Sequence, residues 1–364
     1  MKIKELTSEL EKFAPRVYQE SYDNCGLLVG NANTEITGVL LSLDCTEDVI
    51  EEAIKLKCNL IIAHHPIIFG GLKKLTGSNY VERTVITAIQ NNVSIYAAHT
   101  NLDNVKNGVN AKIASKLGLI NLKILAPKKG LLKKLVTYVP ITHADAVRES
   151  LFAAGAGNIG NYDSCSFNLE GTGTFKGNEN SNPFIGQKGE LSKENEVRIE
   201  VIFEGHKESE LLKNLLASHP YEEVAFDVYP LDNVYQNIGS GMVGEFEKPL
   251  SEKEFLTKVK IAFNCRVLKH TSLLNKPIKK VAFCGGSGSF LIKNAINSNS
   301  DAYISADIKY HEFFDAESNI LIVDTGHFEN EQFTPEIFYE FIQKKFTTFA
   351  TYLSKVNTNP VNYF

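Results

Sequence analysis

Short, wholly apolar runs separated by amphipathic segments constrain this sequence more than any other feature. The runs occur near both ends of the chain, at 37–43, 58–63, 93–98, 279–285, 302–305 and 319–324. Strands that are apolar on both faces are typical of parallel sheets covered by helices. After the first run, Thr46 precedes a segment with acidic residues at its start and lysine at its end, which predicts a capped helix. We therefore predict an α/β core in two halves, with a parallel or mixed sheet and flanking helices.

The middle of the chain follows a different pattern. Strand-like segments at 134–141, 196–205 and 222–231 alternate with helical segments. We expect the first of these helices to begin with a capping box of Thr142 and Asp145. A loop rich in Gly, Asn and Ser separates the first helix from the second strand and has room for one more strand. This order is typical of a ferredoxin-like split βαβ unit, an α+β fold. The predicted parts are a first core half, an inserted domain and a second core half, at 1–127, 128–235 and 236–364.

Composition and charge exclude several classes of function. The 364 residues carry 38 basic and 43 acidic side chains, a net charge of −5, which gives no general attraction to nucleic acid or to an anionic membrane. The apolar runs are too short to span a bilayer, and the N-terminal segment has the pattern of a helix and not of a signal peptide. The six cysteines form no CxxC pair. We expect a cytoplasmic protein with free thiols, no membrane association and no nucleic-acid partner.

Histidine and carboxylate residues follow three of the predicted strands. They are His64, His65, His99, Asp103, His327 and Glu331. In open α/β sheets, sites form at the carboxyl ends of the strands, so these groups can converge although they are distant in sequence. Imidazole together with carboxylate favours Zn, Mn, Fe or Co. Without His99, the other five would be too many ligands for one tetrahedral zinc site and fit two ions about 3.5–4 Å apart that share a carboxylate.

Each of these residues also has a structural interpretation. Adjacent histidines on an extended chain point to opposite faces, so His64 or His65 could be a core residue. His327 and Glu331 could form an ion pair on a helix surface, and Asp103 could be a turn residue. His99 fits the role of a hydrogen-bonding support better than that of a ligand. The joint occurrence at three strand ends favours the metal site.

Two further segments are candidates for substrate binding. Gly286, Ser287 and Gly288 follow a strand and precede a helical segment, a context that can hold phosphate, although a plain tight turn explains them equally well. Lys309 and His311 follow the run at 302–305 and could contact an anionic substrate or belong to a packed loop. In the middle segment, 219–223 (HPYEE) is read as a turn and strand start, with a regulatory ligand site as the alternative.

Motifs spread in order over the core carry a family resemblance. They are Tyr22–Leu27 (YDNCGL), Ala63–Pro66 (AHHP), His99–Asp103 (HTNLD), Cys284–Gly288 (CGGSG), Ser305–His311 (SADIKYH) and Asp324–Glu331 (DTGHFENE). On these residues the sequence closely resembles the GTP cyclohydrolase I type 2 homologues, also described as Nif-three-like dinuclear metal centre hexamers. The middle segment is similar to the PII- and CutA-like insert of the longer members, on the motifs 155–157, 171–175, 182–186 and 219–223. Tyr22 stands where the family often has tryptophan, which keeps an aromatic side chain.

The resemblance implies a toroidal homohexamer with two divalent metal ions in each subunit. The ligands it implies are His64, His65, Asp103, His327 and Glu331. Glu331 is the expected bridge between the ions, and zinc is the expected metal, with Fe, Mn and Co as alternatives. Other members of the family are linked to protein partners or to metal handling.

Three functions remain as hypotheses from the sequence. The first is a metal-dependent hydrolase resembling GTP cyclohydrolase, which would attack C8 of the guanine ring and release formate. His99 or His311 would then move protons, and Lys309 or the glycine turn would hold the nucleotide's phosphates. The second is a regulatory or scaffold protein without catalysis, whose insert binds a ligand or a protein partner. The third is nucleic-acid binding, which the net charge opposes.

Overall fold

The structure is a computed structural model that describes all residues from 1 to 364. The chain divides into two compact units, a core unit formed by 1–127 with 237–364 and a middle unit formed by 128–236. Together they contain three sheets. The mixed α/β fold predicted from the apolar runs is confirmed, whereas the assignment of three domains stays a prediction.

The first sheet of the core unit has five strands in the order β1-β4-β3-β2-β15. Their bounds are β1 Gly26–Val29, β2 Gly38–Ser42, β3 Leu60–Ala63, β4 Ser94–Ala97 and β15 Ala350–Leu353. Strands β15, β2, β3 and β4 are parallel, and β1 pairs antiparallel with β4. The last strand was not predicted, because four partly exposed residues near the end of the chain give no apolar run.

One helix precedes the strands of this sheet, and four helices follow β2, β3 and β4 as the alternating pattern predicts. They are α1 Ile3–Phe13, α2 Glu47–Lys55, α3 Tyr80–Gln90, α4 Thr100–Asn104 and α5 Val109–Leu117. Thr46 caps α2, since its side chain accepts a hydrogen bond from the backbone N–H of Val49. Val49, Ile50 and Ala53 of this helix are buried with β2 and β3 in one apolar cluster. This packing holds α2 against β2 and β3.

The second sheet of the core unit has six strands in the order β11-β14-β13-β12-β10-β5. Their bounds are β5 Ile120–Lys128, β10 Tyr235–Leu250, β11 Lys269–His270, β12 Ile278–Ser287, β13 Ala302–Ala306 and β14 Leu321–Asp324. Strands β12, β13 and β14 are parallel, and the pairs β10–β12 and β11–β14 are antiparallel. The helices are α8 Glu252–Ala262, α9 Ile292–Asn297, α10 His327–Glu331 and α11 Thr334–Lys345.

The middle unit is an antiparallel sheet with two helices. In chain order its elements are β6 Leu132–Pro140, α6 Ala144–Ala153, β7 Phe167–Lys176, β8 Leu191–Glu204, α7 Glu208–Ser218 and β9 Phe226–Leu231. The strand order is β7-β8-β6-β9, and both helices pack on one apolar face of the sheet. Strand β7 lies in the segment predicted to be mainly loop. The ferredoxin-like classification of this unit stays a prediction.

The capping box predicted for α6 is wrong. A 3₁₀ turn over Ile141–His143 leads directly into the helix, and the backbone N–H of Ala144 donates to the carbonyl of Ile141. The hydroxyl of Thr142 instead lies 2.9 Å from Nδ1 of His143. The 3₁₀ turn pairs a backbone N–H group at the helix start with a backbone carbonyl, so no side-chain cap is needed there.

None of the helices is both long enough and apolar enough to cross a lipid bilayer.

Candidate metal centre

Ends of parallel strands in both sheets of the core unit deliver one cluster of histidines and carboxylates. His64 and His65 directly follow β3, and Asp103 lies in α4, the short helix after β4. His327 and Glu331 are the first and last residues of α10, which follows β14. Because α10 places them at positions i and i+4, both side chains leave the helix on the same side. The structure therefore brings together the five residues that the sequence analysis selected as metal ligands.

One group in the cluster consists of His64, Asp103 and Glu331. Nε2 of His64 lies 3.6 Å from Oδ1 of Asp103 and 3.8 Å from Oε1 of Glu331. His64 and Glu331 are buried, and Asp103 is only slightly exposed. These separations are too long for hydrogen bonds. Metal–ligand bonds of about 2.1 Å put neighbouring ligands of a tetrahedral ion about 3.4 Å apart, so the three atoms have the spacing of ligands on one ion.

A second group consists of His65, His327 and Glu331. Nε2 of His65 and Nε2 of His327 each lie 3.0 Å from Oε2 of Glu331, and the two nitrogens are 3.3 Å apart. The two oxygens of Glu331 thus face two different groups of side chains. A third group, His64, His65 and His99, also brings its candidate ligand atoms within 4.8 Å of one another.

Two buried polar atoms in the cluster have no hydrogen-bond partner. They are Nε2 of His64 and Oδ1 of Asp103. Buried polar groups are ordinarily paired, because an unpaired one loses its hydration without compensation. Since the two atoms face each other across 3.6 Å, a cation between them would satisfy both. The donor set is therefore suited to a divalent ion.

The pKa shifts in the cluster differ between the group around His327 and the group around His64. Burial favours the neutral form of Glu331, but the charge of His327 and hydrogen bonds from the histidines hold the pKa of this carboxyl well below its usual range. Burial opposes charge on His327 as well, yet Glu331 and Asp307 raise the pKa of its ring to about 11. In the same way, Asp44 and Glu331 outweigh burial and raise the pKa of His65 to about 9.

In the group of His64 and Asp103, burial is the main cause of the pKa shifts. It lowers the pKa of His64 to about 4, although Glu331 acts in the opposite direction. Burial and the charge of Glu331 raise the pKa of Asp103 well above its usual value. Asp103 therefore lies next to a histidine that carries no compensating charge. A cation at this position would offset the cost of ionising the carboxyl.

Each histidine of the cluster is oriented by a partner at Nδ1. His64 binds the carbonyl of Ala98 at 2.8 Å, and the other three bind carboxylates. These pairs are His65 with Asp44 at 2.7 Å, His99 with Asp23 at 2.9 Å, and His327 with Asp307 at 2.7 Å. Such partners fix the ring orientation and occupy Nδ1, so Nε2 is the nitrogen that a metal ion would use. These three aspartates were not predicted from the sequence, although each lies in or beside one of its motifs or apolar runs.

The glycine turn packs against the cluster. A Cβ on Gly286 would lie 2.6 Å from Oε1 of Glu331, so a larger residue would displace this carboxylate. The backbone N–H groups of Gly285 and Gly286 donate to the side chains of Asn110 and Asn330. Because these donors are occupied, the two amides are not available to a phosphate. Ser287 is exposed and Gly288 is buried; the substrate-binding role of 286–288 stays a prediction.

The predicted proton-transfer and substrate residues lie in different surroundings. His99 belongs to the third group of the cluster, whereas His311 is exposed and its ring contacts Tyr310 and Phe314. Lys309 is also exposed, and its backbone N–H donates to Glu312. His311 and Lys309 belong to none of the three groups. Their roles stay predictions.

The fold and the cluster define a class, an α/β protein with a buried histidine–carboxylate site that could hold metal. Within that class, residues 1–360 match the family model described as Duf34/NIF3 (NGG1p interacting factor 3), and the chain belongs to this family.

Relatives and solved structures agree with this assignment. A protein of Halalkalibacterium halodurans named GTP cyclohydrolase 1 type 2 homolog is 43% identical over 319 residues, which cover 87% of this chain and 86% of the relative. A Bacillus subtilis protein of the same name is 36% identical and covers 97% of this chain and 96% of its own. The crystal structure of a Bacillus cereus protein related to NIF3 is similar with a TM-score of 0.88 and 36% identity, over 100% of this chain and 99% of that one.

Proposed function

We propose that the chain is a dinuclear metal protein whose two ions share Glu331. His64 and Asp103 would bind one ion, and His65 and His327 the other. The observation that carries this proposal is the position of Glu331, whose Oε1 faces the first group and whose Oε2 faces the second. A carboxylate that serves two separate ligand groups is typical of paired metal sites. Zinc fits these ligands, as do iron, manganese and cobalt.

We further propose that this site hydrolyses a small substrate, with a guanine nucleotide as the first candidate. The support is the donor set together with the name of the relatives, GTP cyclohydrolase 1 type 2 homolog. Two divalent ions held by these residues would supply a Lewis acid and an activated water for such chemistry. Nδ1 of His99 is held by Asp23, which leaves its other ring nitrogen to exchange a proton with substrate. The homohexamer implied by the family resemblance is part of the same proposal.

Metal content is tested first. Elemental analysis of the native protein should find two divalent ions per chain, and a His64→Ala/His65→Ala variant should lose both. Native mass spectrometry of the same samples should give the mass of six chains. A native protein without divalent metal, or a double variant that retains both ions, contradicts the proposed ligands.

Catalysis is tested on the metal-loaded protein with GTP. Formate release should exceed that of the His64→Ala/His65→Ala variant, while circular dichroism shows that the variant is folded. Equal rates for the two proteins would remove the cyclohydrolase from consideration. A panel of other nucleotides and amides then tests whether a different bond is hydrolysed.

A regulatory or scaffold role without catalysis is the second candidate. It is favoured by the middle unit, which is compact in its own right and contributes no residue to the cluster. In this case, metal removal should alter the binding of a ligand or protein partner while no substrate turns over. Turnover of any substrate that depends on His64 and His65 would count against it.

A further inference from the structure

The middle unit contains a cavity that the proposed metal chemistry does not use. Its volume is about 710 Å³, which is within the usual range for small-molecule sites. The floor is the face of the sheet opposite the two helices, with Tyr138 on β6, Gly173 and Phe175 on β7, and Glu196 and Arg198 on β8. The alternate residues of β8, Val197 and Ile199, point the other way into the helix-covered core.

A loop borders the cavity on one side of this face. The segment 177–184 lines it, and the backbone N–H of Asn182 donates to Glu222 at 2.6 Å. This bond ties the loop to the segment before β9. At the base of the same loop, the backbone N–H of Gly189 donates to the carbonyl of Gly177 at 2.8 Å. Hydrogen-bonded chain therefore borders the cavity on its loop side.

Aromatic rings form one wall of the cavity. The ring centroid of Tyr221 lies 5.8 Å from that of Phe175 and 6.4 Å from that of Phe184. Aromatic faces contact apolar groups and attract cations. Such a wall suits a ligand with an apolar body that carries a positive charge.

Glu196 supplies a buried negative charge next to these rings. It is only 8% exposed, and its one hydrogen bond is accepted by Oε1 from the hydroxyl of Tyr221 at 2.8 Å. A neutral hydroxyl gives no charge compensation, and no basic side chain forms an ion pair with Glu196. Its second oxygen, Oε2, lies directly over Gly173, where a Cβ would be 2.1 Å away. The absence of a side chain at 173 leaves this carboxylate room inside the cavity.

The remaining charges do not neutralise Glu196. Arg198 also lines the cavity, but its Nη2 is 2.9 Å from Glu200 in an ion pair. The other basic residue of the lining is Lys176, and the other acidic residues are Glu170, Glu222 and Glu223. Carboxylates thus outnumber basic groups, so an anionic ligand is disfavoured and a cation is favoured.

We propose that this cavity binds a small organic amine, with its ammonium group on Glu196 and its apolar body against Phe175, Phe184 and Tyr221. This site is independent of the metal centre. All of its lining residues lie between 138 and 225, within the middle unit.

The full chain is titrated with phenethylamine in a calorimeter, and 2-phenylethanol serves as the neutral probe of similar shape. The amine should bind at least about tenfold more tightly than the alcohol, since a charge-assisted hydrogen bond to a buried carboxylate exists only for the amine. Glu196→Gln should abolish this preference. Glu194→Gln, on the same strand but outside the cavity lining, should retain it.

A second variant covers the case in which Glu196→Gln fails to fold. Gly173→Ala keeps the charge but places a methyl group against Oε2, so it should also weaken amine binding by about tenfold. Equal affinity of the two probes for the wild-type chain, equal effects of the changes at 194 and 196, or no saturable amine binding would overturn the proposal. Light scattering is run in parallel. If Glu196→Gln alters the association state while no amine binds, the cavity is a contact between copies of the chain and not a ligand site.

Discussion

At the residue scale, the candidate centre depends on the pairs that orient its imidazoles. Asp44 is the clearest case, because Oδ1 contacts Nδ1 of His65 while Oδ2 accepts a hydrogen bond from Thr358. Thr358 thus fixes one oxygen of the Asp44 carboxylate, and the other oxygen fixes the ring of His65. A group that fixes a ligand in this way affects metal affinity without touching the metal itself.

Replacing Asp44 by alanine should weaken metal binding without unfolding the chain. We expect the dissociation constant of a divalent ion to rise about 10–100-fold, the range typical of lost orienting partners. Chelator competition on the purified variant measures this change. Asp48→Ala is the control, since Asp48 is exposed in the first turn of the nearby α2. Equal affinities in both variants would show that Asp44 does not position His65.

A second prediction at the residue scale concerns how stability depends on pH through Glu82, a carboxyl group outside the cluster. Glu82 accepts hydrogen bonds from the backbone and side chains of Thr76 and Ser78, and these lower the pKa of its carboxyl from 4.5 to about 2. The folded chain therefore binds this proton less readily than the unfolded chain. The stabilisation is fully present above pH about 4.5 and is lost as the pH falls toward about 2.

Glu82→Gln should remove this part of the acid sensitivity. Urea unfolding at several pH values should find the variant less stable than wild type at pH 7, with the gap narrowing as the pH falls from 5 to 3. Glu51→Gln is a suitable control, because Glu51 is exposed on α2. A gap that is constant over this range would contradict the prediction.

The candidate ligands could be predicted from the sequence, but the residues that orient them could not. His64, His65, Asp103, His327 and Glu331 could be selected because each follows an apolar run, and the carboxyl ends of strands converge. Asp44 and Asp307 are separated from their histidines by 21 and 20 residues, and Asp23 by 76. Partners at such separations depend on the register of the strands, which periodicity does not give. The close approach of Gly286 to Glu331 is hidden for the same reason.

At the element scale, the helix starts show where local rules succeed and fail. Thr46 caps α2 as predicted, but α6 starts from a 3₁₀ turn and needs no cap. Ser251 forms a complete capping box on α8 with Glu254, in which each side chain bonds to the backbone of the other. Local patterns identify candidates for caps, and the preceding backbone decides whether they are used.

Ser251→Ala should cost about 1 kcal/mol of unfolding free energy, because it removes the cap and leaves a backbone N–H of the first turn unpaired. Chemical denaturation measures the loss. Thr257→Ala on the same helix is the matched control, since its hydroxyl bonds the carbonyl of Lys253 within the helix and alanine is the better helix former. The control should be neutral or slightly stabilising. A loss at 257 as large as that at 251 would argue against the cap as the cause.

Strands were predictable where they are buried on both faces. The runs that became β2, β3, β4, β13 and β14 are fully buried, and their apolar composition is the visible consequence. Strand β7 has an exposed or half-exposed pattern throughout, and β11 has only two residues. Such strands are fixed by pairing with their neighbours and not by burial, so a single sequence gives little sign of them.

At the scale of the whole molecule, the end of the chain completes the sheet formed by its beginning. Strand β15 pairs in parallel with β2, from Ala350 opposite Gly38 to Leu353 opposite Leu41. The segment that follows reaches the surroundings of the cluster, where Thr358 donates to Asp44 and Tyr363 donates to Glu329. The last residues of the chain thus connect the stability of the first sheet to the geometry of the candidate centre.

Deleting residues 350–364 should therefore reduce both stability and metal affinity. The loss of β15 exposes the edge of β2, and we expect Tm to fall by about 4 °C or more, as for a loss of ~2 kcal/mol. Thr358→Val separates the two effects, because it removes only the hydrogen bond to Asp44. This variant should bind a divalent ion more weakly while its Tm without metal stays within about 2 °C of wild type. Val361→Ala, an exposed position in the same segment, is the control and should change neither quantity. If the deletion lowers Tm but leaves the dissociation constant of the ion unchanged, the C-terminal segment supports the sheet alone and has no part in positioning His65.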